Sequence, residues 1–439
     1  MSLLKIELWE FQNRILSDMK KLLFLLSLIV FVSCNSFQKN DYSDFNRIPL
    51  QSEITGIQPM TGIVLWHTNE KCVTEPDKLQ LEFAYLLYSD VCKERGVYDW
   101  SSLDSLLNAV AARGHQLVIR YRYTYVGQPC AVPEYIKAWP GYEETIGKSE
   151  GRDTGFPDWR CEELQRFNLE FYQKLAERYD NDPRLAFVQT GFGLWAEYHI
   201  YDGPRIIGQT FPSHDYQEIF FKELDKYFKY GTWSISKDSA PELYSPFEAK
   251  PELLDLRFGI FDDSFMHETH HLYNRDCLLF FGDDRYKTAP YGGEFSYYTR
   301  YDQQHTLDVE GMYGRTFEDE VAKYHMTYIN GNDQPRYQTM ERIKGASMSM
   351  GYKFEIKDFR VKGRKAAVLI ANIGVAPIYR DAYVAVGAAK GEYSLKNLMP
   401  GEEVWVEIKG YGVSVKAVPE IVCEHLVEGQ KIEYRADVQ

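Results

Sequence analysis

Between residues 62 and 330, short apolar runs alternate with amphipathic runs of helical period, and this alternation limits the possible folds more than any other feature. Gly62-Ile63-Val64-Leu65-Trp66, residues 79–88 and Leu117-Val118-Ile119-Arg120-Tyr121 are runs of strand type. Between the second and third, Leu103, Leu106, Leu107, Val110 and Ala111 recur at helical spacing. Ser101 or Ser102 can cap that helix, and Gly114 can end it. A strand, a helix and a strand joined by short links make a parallel unit, because a parallel return needs a crossover. The pattern continues with a helix over 159–179 and a strand over Leu185–Thr190, then a helix over 216–228. Residues 231–251 hold a fifth strand near Trp233, and further strands fall at 256–261, 289–295 and 324–330. Eight such strands predict a closed (β/α)8 barrel of TIM type over residues 58–345, in α/β class.

From about Tyr352 the helical signals fade. Strand runs such as Phe354-Glu355-Ile356, Ala367-Val368-Leu369-Ile370 and Val404-Trp405-Val406-Glu407-Ile408 are separated by turn residues, among them Gly363, Gly374, Pro377 and Gly401. Residues 346–439 therefore read as a small β-sandwich. The amino-terminal end reads as an address. Met19-Lys20-Lys21, an apolar run over 22–32 and Val32-Ser33-Cys34 make a secretory signal within residues 1–34, with Met19 as the expected start. The run is too short to span a bilayer, which takes ~20 residues. Its ending is similar to a bacterial lipobox, which implies acylation at Cys34, a polar tether over 35–57 and a lipid-anchored place in the cell envelope.

Composition narrows the partners. A net charge of −14 argues against nucleic acid and against electrostatic docking on an anionic membrane, leaving a lipid anchor as the membrane contact. The 33 Tyr, 25 Phe and 8 Trp fit large cores and tyrosine-rich surfaces first, and also suit a site that stacks flat apolar faces such as sugar rings. The expected carbohydrate partner therefore rests on the site residues and not on composition. Six cysteines remain beside Cys34, and their spacing names no disulfide pairing. No Cys-x-x-Cys occurs, and the reading calls for no cofactor.

In a parallel barrel the chemistry sits at the carboxyl ends of the strands. Glycoside hydrolysis needs two carboxyl groups there, one to protonate the leaving oxygen and one to attack or to activate water. Glu197 follows the fourth strand and Trp195, whose ring can serve as a sugar platform. Glu294 follows Gly292-Gly293 on the seventh strand, where glycines would let the backbone approach a ligand. Trp66, Asn69, Arg120, Tyr121, His199, Asp262, Asp263, His325 and Asn330 lie near other strand ends as candidate substrate-binding residues. Arg120 can orient a carboxylate.

The order of elements and the two glutamates resemble the clan of retaining barrel glycosidases, especially its β-galactosidase-like branch. Glu94-x-Gly96-x-Tyr98-Asp99-Trp100 ahead of a helix is similar to a segment of that branch, without its proline. Gly191 to Glu197 and Asn372-Ile373-Gly374-Val375-Ala376-Pro377 resemble a poorly characterised secreted bacterial family with a barrel and a β-tail. The likeness spans about residues 60–430. It implies Glu197 as acid/base and Glu294 as nucleophile. The clan usually has Asn before its strand-four acid, and this chain has Ala196.

Two other functions compete with a glycosidase. One is a carbohydrate-binding lipoprotein without catalysis. The other is a zinc hydrolase, because His267-Glu268-Thr269-His270-His271 satisfies H-E-x-x-H. On a helix, His267 and His271 would hold zinc and Glu268 would act as base. The apolar periodicity that should flank such a helix is missing, so no metal is assigned.

Overall fold

The structure is a computed structural model that describes residues 42–241 and 243–439. The signal, the lipobox Cys34 and the first part of the tether, residues 35–41, lie outside the described residues. Residues 47–439 form one compact unit.

Its larger part is a closed barrel of eight parallel strands. In chain order these are β1 (Gly62–Trp66), β2 (Leu81–Leu87), β3 (Gln116–Arg122), β4 (Leu185–Thr190), β5 (Trp233–Ser236), β6 (Phe258–Phe265), β7 (Tyr291–Phe295) and β8 (Tyr328–Asn330). Each pairs with the next, and β8 pairs with β1 to close the ring, Tyr328 opposite Gly62. All eight strands expected from the sequence are present. The period-2 alternation of strand side chains sorts residues between lumen and helix layer. On β3, Val118 and Arg120 point inward, while Leu117, Ile119 and Tyr121 pack outward with the helices. Helices Ser101–Ala111, Glu162–Tyr179 and His214–Tyr227 bury one apolar face each on that outer layer.

The lumen is filled, not open. Val64, Phe83, Val118, Phe187 and Tyr328 pack in it, with Phe187 and Tyr328 stacked at 4.6 Å. The same cluster runs on into the tail through Tyr352 and Ile378. The tail is two facing sheets. The larger orders β9 (Phe354–Lys362), β10 (Lys365–Asn372), β12 (Glu403–Lys409) and β14 (Tyr434–Val438), with β9 central between β10 and β14. The smaller holds β11 (Ala382–Val386) against β13 (Pro419–Cys423). Ile356, Val368, Ile370, Val384, Val386, Val406 and Ile408 fill the space between them. The tether's far end is ordered: Leu50–Ser52 pairs antiparallel with β14, so backbone groups that polar composition alone left to water are satisfied in a sheet.

The tail closes the amino-terminal end of the barrel. The Arg380 guanidinium donates to the Asp180 carbonyl at 3.0 Å, and Tyr379 Oη donates to the Tyr286 carbonyl at 2.6 Å. His425 Nε2 meets the Leu185 carbonyl at 2.9 Å. The six described cysteines are free, and all but Cys423 are buried. Burial pushes the Cys72, Cys130 and Cys277 thiols up to about 12, which leaves them unreactive. No described helix is long and apolar enough to cross a membrane.

Candidate active site

The other end of the barrel carries a cavity of about 640 Å³. Its wall takes Trp66 from β1, Tyr85 from β2, Glu294 from β7 and Asp263 from β6. The loop after β3 adds Tyr125 and Glu150, and the loop after β4 adds Trp195, Glu197, His199 and Tyr201. Tyr297, Tyr298, Asn332 and Asp333 complete it.

Glu197 is held by an unusually tight turn. The Phe192 and Gly193 amides both donate to the Glu197 carbonyl, at 3.1 and 2.8 Å, and the Leu194 amide donates to the His199 carbonyl at 3.0 Å. A Cβ on Gly191 would lie 2.2 Å from the Ala196 carbonyl oxygen, and one on Gly193 would lie 2.0 Å from that of His199. Only glycine fits either place. Trp195 and Ala196 both adopt left-handed backbone, at φ 59° and 54°. Each costs on the order of 1 kcal/mol or more for an L residue, strain of the kind that collects at functional sites. Ala196 is fully buried and absent from the cavity wall, so its position does not present a side chain to a ligand.

The Glu197 carboxylate accepts from Arg120 Nη1 at 3.1 Å and faces His199 Nε2 at 3.6 Å. Arg120 is itself fixed by the Gln189 amide oxygen at 2.9 Å, by Tyr85 Oη at 3.1 Å and by the Trp195 carbonyl at 3.2 Å. Its guanidinium lies over the Phe261 ring at 4.2 Å. Burial raises the Glu197 pKa, while His199 and Arg120 pull it back. Glu294 has no hydrogen-bond partner among the described residues. Burial pushes its carboxyl up to about 8, with Arg120 opposing and Glu197 and Asp333 adding to the rise.

Behind these two lies an ion-pair network that the sequence reading missed. His199 Nδ1 bonds Asp238 Oδ2 at 2.9 Å and faces Asp263 Oδ2 at 3.7 Å. The buried Lys237 ammonium bonds Asp263 and lies 3.7 Å from both Asp238 and Asp262. Burial disfavours a charged His199, but Asp238, Glu197 and Asp263 outweigh it and lift its pKa to about 9. Burial also opposes ionisation of Asp238, yet Lys237 and His199 hold it well below the ordinary range. Asp263 goes the other way, raised by burial and by the facing Asp238. Glu197, His199 and Asp263 are close enough to share a cation. Lys237 places its positive charge against Asp263 in the same network.

Of the residues singled out from sequence, Glu197, Glu294, Trp66, Trp195, His199 and Asp263 meet on the cavity wall, with Arg120 directly behind Glu197. Asn69 stands beside the mouth, its amide donating to Asn332 at 3.0 Å, and Asn330 is buried at the end of β8, accepting from the Asn332 amide. Three expectations need correction. Tyr121 faces the helix layer, edge-on to Phe171 at 4.7 Å, because it is one residue out of phase with Arg120. Asp262 likewise points out of the barrel and accepts from Asn274 and the Ser264 amide. His325 precedes β8, so it lies at the opposite end, stacked on Tyr286 at 3.5 Å and bonded to the Val375 carbonyl.

The zinc motif is also overturned. Helix His271–Phe281 begins at the motif's last residue, so His267 and His271 share no helical face. His267 bonds Asp302 at 2.7 Å, and His271 faces Glu320 at 3.5 Å. Gly292 has a different purpose from the one expected. Its missing Cβ makes room for the Tyr328 ring, whose Cζ would be 2.3 Å away, and not for a ligand.

No protein-family model matches the chain, and no curated protein does. Solved structures that align with the chain include glycoside hydrolases. An α-galactosidase from Thermus thermophilus aligns at 13% identity and a TM-score of 0.39, over 73% of this chain and 66% of that one. A family 30 subfamily 8 xylanase from Clostridium acetobutylicum aligns at 11% identity and a TM-score of 0.38, over 83% of this chain and 98% of that one. A trimodular family 5 endoglucanase aligns at 10% identity and a TM-score of 0.40, over 87% of this chain and 78% of that one. At such identities and TM-scores, neither fold nor family nor residue role is carried over from them.

Proposed function

We propose that the protein hydrolyses a glycan through Glu197 and Glu294. The observation that carries this is the convergence of two carboxyl groups, from the ends of β4 and β7, on one aromatic-walled cavity in unequal electrostatic settings. Unequal settings are what the chemistry requires, since one group must give a proton while the other stays ionised. The resemblance implies Glu197 as the acid and Glu294 as the nucleophile. The surroundings favour the reverse. Glu197 is gripped by a guanidinium and faces an imidazolium, and both favour its carboxylate. Glu294 meets neither contact and holds its proton near neutral pH. In this reading Glu294 protonates the leaving oxygen, and Glu197 attacks the anomeric carbon or activates water.

Aryl glycosides of graded leaving-group ability test the assignment. Glu197→Gln should abolish turnover of all of them. Glu294→Gln should cost most on poor leaving groups and little on dinitrophenyl glycosides, which need no proton. The opposite pattern would restore the roles implied by the resemblance. Full activity in both variants would end the two-glutamate reading, and binding without turnover in the unmodified protein would leave a carbohydrate-binding function.

We also propose that the protein is anchored in the cell envelope through an acylated Cys34, on the strength of the Val32-Ser33-Cys34 ending. Cys34→Ser should move it from the membrane to the soluble fraction. Retention of the variant in membranes would overturn the anchor.

A further inference from the structure

We propose that the cavity selects glycan chains of several sugar units that carry no acidic groups. This inference rests on the glycan-hydrolase reading. Five carboxyl side chains stand on the wall, Glu150, Glu197, Asp263, Glu294 and Asp333, and His199 is its one basic side chain. No guanidinium or ammonium stands on the wall itself, and those beside it are engaged: Arg152 pairs with Glu150 at 2.8 Å, Arg336 faces Asp333 at 3.5 Å, and Arg122 lies over the Tyr125 ring at 4.5 Å. Arg120 is buried and bonded to Gln189, Tyr85 and Glu197. Lys237 is 1% exposed and surrounded by Asp238, Asp262 and Asp263. A uronate or sulfate entering this cavity would lose its water and gain no guanidinium or ammonium, which is the costly case for a buried charge. It would also meet the Glu150 and Asp333 side chains, of its own sign, at close range, within a chain of net charge −14.

Length selectivity comes from the rim. Tyr201, Tyr297 and Tyr298 line the mouth yet remain 53%, 51% and 62% exposed. They belong to the loops after β4 and β7, so aromatic faces flank the mouth from two sides. Deeper down, Trp195 meets Tyr125 edge-on at 4.3 Å, and Trp66 meets Tyr85 at 5.7 Å. Aromatic rings left this exposed next to a polar cavity offer stacking area that a single buried sugar would not reach.

The test uses the Glu294→Gln protein, to suppress turnover, and an array of hexamer-length oligosaccharides. Neutral β-glucan, xylan, mannan and galactan fragments and amine-bearing chitosan fragments are compared with oligogalacturonate, alginate and heparin fragments. We expect binding among the neutral or amine-bearing chains, with acidic chains at least about tenfold weaker. The pair Glu150→Gln and Asp333→Asn should narrow that gap. Tyr298→Ala should weaken hexamers several-fold and leave disaccharides of the same sugar unchanged. An acidic chain bound as tightly as the best neutral one would overturn this inference alone. Equal loss for hexamers and disaccharides in Tyr298→Ala would overturn its length part. Failure to bind any glycan would remove the glycan-hydrolase reading, and this inference with it.

Discussion

His199 joins the cavity-wall carboxylate to the acids behind it. Its ring stands between Glu197 on the cavity side and Asp238 and Asp263 behind, with Lys237 closing the far side of those two acids and the Tyr201 ring at 5.2 Å. Its pKa of about 9 lies above the ordinary value of 6.5. Folding therefore favours the protonated form. That stabilisation is fully present below pH 6.5 and is lost as pH rises through 9. The shift corresponds to up to about 3 kcal/mol. Urea midpoints should accordingly fall between pH 6.5 and pH 9.5, and His199→Gln should flatten that fall. An unchanged slope in the variant would mean that another group carries it. The sequence marked His199 as a strand-end residue, but its partners Lys237 and Asp238 lay in a stretch, 231–251, with no clear periodicity. Nothing in a linear pattern says that a lysine after one strand will be enclosed by its neighbour Asp238 and by two aspartates of the next strand.

At the scale of elements, β7 shows how one packing detail sets a functional side chain. Gly292 faces the lumen, and Tyr328 of β8 occupies the space where a Cβ would be. Tyr328 in turn accepts from the Gln189 amide at 2.8 Å, and Gln189 holds Arg120 against Glu197. Gly292→Ala should therefore destabilise the protein by about 1–3 kcal/mol through overpacking. It should also lower turnover, because Tyr328 has to shift. A thermal melt and one aryl glycoside assay check both, and a variant with wild-type stability would refute the packing argument. The strands themselves were legible because eight apolar runs stand apart from helical ones. Which side of each strand faces the lumen was not. Tyr121 and Asp262 read as site residues because they lie near strand ends, and a one-residue offset turns a side chain outward.

The whole molecule unites the two halves. The lumen cluster continues from Phe187 and Tyr328 into Tyr352 and Ile378, and the residual void at that junction holds only about 10 Å³. Arg380 and His425 bond barrel backbone from the tail, so the tail covers the apolar floor of the barrel. Residues 47–439 should unfold in a single calorimetric transition. Ending the chain at residue 349 should send the barrel to the insoluble fraction, because it uncovers that apolar floor. Two resolved transitions, or a soluble and folded truncated barrel, would show that the halves are independent.

The sequence by itself determined the class of fold, the number and order of barrel strands, the all-β tail and the placing of Glu197 and Glu294 at strand ends. These follow from local periodicity and from the rule that parallel strands present their carboxyl ends together. Tertiary structure alone decided the rest. Arg120 turned toward Glu197, and Lys237, Asp238, His199 and Asp263 joined in one network. The zinc-like histidines parted to Asp302 and Glu320. The two glutamates came to differ in proton affinity. Such outcomes depend on distances between residues tens of positions apart and on the loss of water around them, and neither is written in the local order of the chain.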